Sequence, residues 1–139
     1  LSWEGVFRQT PLIAAGSDEA KAEVAAQDMA AWISAQKGQA DILLGELAAL
    51  CLFQGHNALA ERYGAQALAA GQGAHNPLIY AWYAGGHLGA TGDVESTLPL
   101  LTEARQHLPA TEIARLLDHQ IPFTEYGDDP RLRAVIDLR

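Results

Sequence analysis

Residues 47–92 read LAALCLFQGHNALAERYGAQALAAGQGAHNPLIYAWYAGGHLGATG, and in these 46 positions the only charged side chains are Glu61 and Arg62. Ala and Leu dominate the stretch, both strong helix formers, and no part of it alternates apolar with polar residues as a half-buried strand would. Gly55, Gly71, Gly73 and Gly92 punctuate it, and Asn76 with Pro77 restarts it. A cap residue followed by proline opens a helix, whereas glycine past the last apolar position closes one. The segment therefore predicts three consecutive helices and the turn into a fourth. With so little charge, something must cover it.

The same grammar extends outward over the whole chain of 139 residues, which contains 26 Ala and 19 Leu. A helix over 18–37 is capped by Ser17, led by Asp18 and Glu19 and ended by Gly38, with Val24, Met29, Trp32 and Ile33 on its buried side. Helices follow over 41–54, from Asn57 as cap to 70, from Pro77 to 90, and over 94–107, where Pro109 stops the chain. Thr111 caps a sixth that Pro122 ends, and Asp129 with Pro130 opens a short last one. Before Ser17, the apolar residues Trp3, Val6, Phe7, Leu12 and Ile13 suit a further short helix. The fold class expected is all-α, one domain of about six to eight antiparallel helices.

Composition narrows the partners. Apolar residues make up 49% of the chain, enough to build a core, and 17 acidic against 9 basic side chains leave a net charge of -8. With two lysines, Lys21 and Lys37, and no basic cluster, nucleic acid is not an expected partner. Membrane insertion is not expected either. The uncharged stretch 63–92 is broken at Gly71, Gly73, Asn76 and Pro77 into pieces shorter than the ~20 apolar residues that a bilayer needs. Cys51 is the one cysteine, excludes an intrachain disulfide and reads as a small core residue, so a cytoplasmic setting is expected. Leu1 stands first without Met or a basic leader, which reads as the start of a piece of a longer parent.

Aligning the turns exposes a repeat. Measured from Gly55, Leu47, Ala48, Ala60, Ala67 and Leu68 occupy the same offsets that Ala84, Gly85, Thr97, Ala104 and Arg105 occupy from Gly92, a period of 37 residues. Small residues in the middle of one helix and at two places on the next let antiparallel helices cross closely. These positions, with the Gly92-Asp93 turn and Pro109, make the segment resemble the tetratricopeptide repeat (TPR), a helical hairpin of about 34 residues, with extra residues here at 72–76. The resemblance divides the chain into a degenerate helix at 17–38, repeat units at 41–72 and 77–109, and capping helices at 111–139. It implies a short superhelix whose concave face is lined by the first helix of each pair.

On that implication Ile42, Gly45, Ala49, Leu52 and Phe53 line the groove in one unit, and Ile79, Trp82, Gly86, Gly89 and Ala90 in the next. Tyr80, Trp82 and Tyr83 form the densest aromatic group, and such residues are either binding anchors or core. The groove is apolar and lacks the Lys and Asn residues with which some TPR domains hold a terminal carboxylate. The expected binding residues are Ile42, Ala49, Leu52, Phe53, Ile79, Trp82, Tyr83 and Gly86. The expected partner is a protein or peptide with an apolar segment, or a second copy of the chain. The resulting function is a protein-interaction module of a larger regulatory or scaffolding protein, with a small secretion-type chaperone or a homodimerisation domain as alternatives.

Chemistry has little sequence support. His56, His75, His87, His107 and His119 show no metal-ligand spacing, no glycine-rich loop follows a strand, and no serine sits in a Gly-x-Ser-x-Gly context. The histidines read as surface or turn residues, and Asp129 before Pro130 is explained by capping. No catalytic residue, cofactor or metal is expected, and an enzyme domain with an unrecognised site is the minor alternative.

Overall fold

In a computed structural model the chain is described over residues 3–36, 40–119 and 123–137, and within these the side chains outside 3–7, 40–43, 116–119 and 136–137. The described residues form eight α-helices and no strand: α1 (Trp3–Ala15), α2 (Glu19–Ala35), α3 (Ala40–Phe53), α4 (Asn57–Ala69), α5 (Leu78–Thr91), α6 (Val94–His107), α7 (Ala110–His119) and α8 (Pro130–Asp137). Short 3-10 turns at Gln72–Ala74 and Phe123–Tyr126 complete the order. The all-α class is as the sequence dictates.

Local physics places most boundaries. Gly55 and Gly92, at φ +84° and +67°, take the left-handed conformation that side chains disfavour, and each reverses the chain within three residues or fewer. Asp93 caps α6 by accepting from the Ser96 N–H at 3.4 Å. Asn76 Oδ1 accepts from the Leu78 N–H at 3.2 Å and so starts α5. Three expected caps are different. Asp18, not Ser17, caps α2 by accepting from the Lys21 N–H, and α7 begins at Ala110, ahead of Thr111. Asn57 lies inside α4, where its side chain is pressed against the backbone of Gly89.

The buried residues form two clusters that meet on α5. The first joins α1, α2, α3 and α4 to Ile79 and Trp82, and the second joins Ala81, Ala84 and Leu88 to α6, α7, α8 and Phe123. A helix buried on opposite sides must be apolar all round. That accounts for the near absence of charge along α5. Of the matched positions of the 37-residue period, Leu47 and Ala84, Ala48 and Gly85, Ala60 and Thr97, and Ala67 and Ala104 are buried, whereas Leu68 and Arg105 are half-buried. On α2 the burial differs from expectation: Ala22, Ala25, Ala26, Met29 and Ile33 face inward, and Val24 is 59% exposed.

The two charges of the uncharged segment each reach another helix. Arg62 Nη1 lies 2.6 Å from Glu23 Oε1 and ties α4 to α2, and Glu61 Oε1 lies 3.1 Å from His87 Nδ1 and ties α4 to α5. His56 is buried rather than a surface turn residue, because its Nε2 bonds the Gly16 carbonyl at 2.6 Å and closes the α1–α2 turn onto α4. His107 stacks on Tyr80 with ring centroids 4.1 Å apart and joins α6 to α5. The inserted connection also has a structural use: Gln72 is buried, and its Oε1 accepts from the Gly45 N–H at 3.1 Å.

Candidate functional site

The face expected to bind a partner is the seam where α5 lies against α3. Its spacing is set by glycine. A Cβ on Gly45 would stand 2.5 Å from Ile79 Cδ1, and one on Gly85 would stand 2.9 Å from Phe123 Cε2 and 3.5 Å from Leu52 Cδ2. Lacking those carbons, α3 and α5 close until Ile79 fills the space over Gly45, and the 123–126 turn closes onto α5 until Phe123 fills the space over Gly85. The open groove expected from the repeat register is thus a packed seam along most of its length.

This closure separates the predicted residues. Ala49, Leu52 and Ile79 are buried in the first core cluster. Gly86 meets α4 instead, where an added Cβ would lie 2.6 Å from the Glu61 backbone nitrogen. Tyr83 is half-buried with its backbone and Cβ against Gly64 of α4, so it does not join Trp82. The side chain of Ile42 lies outside the described residues. The aromatic group Tyr80, Trp82 and Tyr83 accordingly spreads over three directions, because successive helical residues point about 100° apart.

What remains on the surface is Phe53. It is 61% exposed at the end of α3, and its ring meets the edge of Trp82 at a centroid separation of 6.5 Å and an interplanar angle of 78°. Trp82 is 9% exposed and serves as the floor. Edge-to-face pairs of this kind add about 0.5–1.5 kcal/mol beyond burial, which biases the exposed ring toward this orientation. Two acceptors of this stretch, Glu46 Oε2 within α3 and Gln54 Oε1 just past its end, are buried without a hydrogen-bond partner among the described residues. Glu46 precedes Phe53 by two helical turns on the same face.

A second apolar surface was not visible in the sequence. Pro11 of α1 and Ala20, Lys21, Val24, Ala25 and Asp28 of α2 line an open depression of about 490 Å³. Phe123 was also missed as a groove residue. It is fully buried and covers the far end of the α3–α5 seam, and the one hint in the sequence was an isolated aromatic residue directly after Pro122.

Cys51 sits in the first cluster with no exposed surface, and burial pushes its thiol up to about 12. A thiol held protonated to that degree is neither nucleophile nor ligand. Among the described residues no group of three or more His, Cys, Asp or Glu is placed to hold a metal ion, and no helix is long and apolar enough to cross a membrane.

No protein-family model, curated protein or solved structure matches the chain.

Proposed function

We propose that the chain is a protein-interaction module built from TPR-like helical hairpins, and that it binds an apolar partner segment at the outer end of the α3–α5 seam. One observation carries this reading: Phe53 stands exposed on a buried aromatic floor, Trp82, in a chain that otherwise uses its apolar residues on this face for packing. An aromatic anchor whose rotamer is already biased toward the bound one binds at reduced entropic cost. The net charge of -8 favours a partner segment that carries basic residues beside its apolar residue. The unit serves a larger regulatory or scaffolding protein of the cytoplasm in this reading.

Selection of random peptides displayed on phage against the full chain tests it. The expected outcome is enrichment of peptides that carry an apolar or aromatic residue next to Lys or Arg, with binding lost in Phe53→Asp while the far-ultraviolet circular dichroism is unchanged. Enriched peptides that bind Phe53→Asp as well as the parent would remove this face from consideration. Peptide enrichment without any apolar preference would remove the proposed partner chemistry.

A further inference from the structure

Glu61, His87 and Ser96 belong to three successive helices, yet they stand in one line. Glu61 Oε1 is 3.1 Å from His87 Nδ1, and the opposite ring nitrogen, Nε2, is 2.6 Å from Ser96 Oγ. A carboxylate oxygen can only accept, so Nδ1 carries the proton in the first contact. In the neutral ring Nε2 is then a bare acceptor, and the hydroxyl of Ser96 is the donor that meets it. The order carboxylate, imidazole, hydroxyl is the one in which a general base draws a serine proton while an acid holds the base in the required tautomer.

Three features of the fold bring this line together. Gly86 lets the α5 backbone close onto the first turns of α4, where an added Cβ would be 2.6 Å from the Glu61 nitrogen, and this brings His87 within reach of Glu61. The turn at Gly92 sets the start of α6 beside the end of α5, so residues nine apart in sequence come opposite each other. Thr91 fastens that turn, its hydroxyl donating to the His87 carbonyl at 2.7 Å and accepting from the Asp93 N–H at 3.1 Å. Ser96 itself is exposed, and the side chain of His87 is 19% exposed, so the hydroxyl is open to reagents while the base is largely covered. Asp93 offers the Ser96 hydroxyl two competing acceptors, its carbonyl at 3.3 Å and its carboxylate, so the one proton is shared among three groups, and the His87 contact at 2.6 Å is the line that activates the oxygen.

We propose that Ser96 is an activated nucleophile that accepts the acyl group of small, accessible esters, with His87 as general base and Glu61 as positioning residue. Ser96 Oγ attacks the ester carbonyl carbon as its proton passes to His87 Nε2. Collapse of the adduct breaks the bond to the alcohol, which leaves with that proton, and Ser96 retains the acyl group as an ester. Water repeats the sequence through the same base and releases the acid. The nearest N–H donors, in the first turn of α6, face the Asp93 carboxylate, with Ser96 N at 3.4 Å from Asp93 Oδ1. The reaction expected is therefore slow acylation of one residue rather than rapid turnover.

The test uses the full chain and a fluorophosphonate probe, which forms a phosphorus–oxygen bond to an activated serine and expels fluoride. Intact mass and peptide mapping should find one adduct per chain, on Ser96, absent from Ser96→Ala and absent when the chain is unfolded in urea. His87→Gln should slow labelling about 100-fold. Glu61→Gln should slow it as well, and Glu61→Asp should restore part of the rate, a rescue that a merely structural carboxylate would not provide. Ser34, whose hydroxyl donates to the Ala30 carbonyl, is the internal control and should stay unlabelled. The proposal is overturned if Ser96 and Ser34 label alike, if no adduct forms, or if labelling of Ser96 persists in urea. The urea comparison decides the matter even where His87→Gln fails to fold.

Discussion

Replacing Gly86 with alanine adds one methyl group at the point where α5 crosses α4. The new carbon would stand 2.6 Å from the Glu61 nitrogen and 3.0 Å from both the Ala60 carbonyl carbon and the Asn57 oxygen. All three are helix backbone, so no flexible side chain can swing away, and the helices must part by most of an ångström to reach ordinary contact. Overpacking of this kind costs about 1–3 kcal/mol. Alanine returns about 0.5–1 kcal/mol through its better helix propensity. The net expectation is a loss of about 1–2 kcal/mol, which for a urea dependence of about 1–3 kcal/mol per molar lowers the unfolding midpoint by about 1 M. Gly64→Ala is the graded comparison, because its added carbon would lie 3.1 Å from Tyr83 Cβ and 3.2 Å from Tyr83 Cα, a milder conflict. Urea titration followed by circular dichroism measures both. A Gly86→Ala chain as stable as the parent, or one less perturbed than Gly64→Ala, would refute the claim that close backbone approach sets the α4–α5 interface. The same variant should slow labelling of Ser96, since the Glu61–His87 contact depends on that approach.

Trp82→Ala should cost about 3–5 kcal/mol because the ring is buried, whereas Phe53→Ala should cost only about 1–2 kcal/mol, from partial burial and the aromatic pair, and still abolish peptide capture. Equal losses in urea titrations would contradict the floor-and-anchor assignment. Cys51 should resist a disulfide-exchange reagent at neutral pH in the native chain and react fully in urea, and rapid native reaction would show that the first core cluster opens easily. Stability should form a plateau between about pH 4 and about pH 8.5. On the acid side, the Ser96 side chain and N–H hold the Asp93 carboxyl below its usual range, and Arg131 does the same for Asp129. Their folded values lie under the unfolded ones, so their contribution is fully present above the unfolded range and lost as pH falls from there through the folded values. On the alkaline side, burial raises the Cys51 thiol and the Tyr63 phenol, so the unfolded chain releases those protons first and stability declines as pH rises. Urea midpoints still climbing near pH 10 would contradict the second half.

Much of the helical layout was legible because its causes are local. Residues 94–107 show this best: Asp93 caps, Gly92 reverses the chain and Leu108 with Pro109 ends the helix, all within one turn of the boundary. The errors in capping were also local, but between near equals. Ser17 and Asp18 are both good caps, and only the hydrogen bond to Lys21 decides between them. Val24 was misplaced because α2 buries an alanine stripe, and a hydrophobicity pattern does not anticipate alanine inside and valine outside.

By itself the sequence determined that the chain is helical, where its turns fall, and that 47–92 must be covered. A strip of Ala, Leu and Gly without charge cannot face water along its whole length, and period and turn chemistry are properties of neighbouring residues. Tertiary structure alone decided how the strip is covered and what is left over. Gly45 sets how closely α3 and α5 approach and Gly85 admits Phe123 over their far end, and this closure turned Leu52 and Ile79 into core and left Phe53 outside. The same closure at Gly86 brought Glu61, His87 and Ser96 together from three helices. Such meetings depend on ångström-scale separations between helices distant in sequence, which no periodicity within one helix encodes.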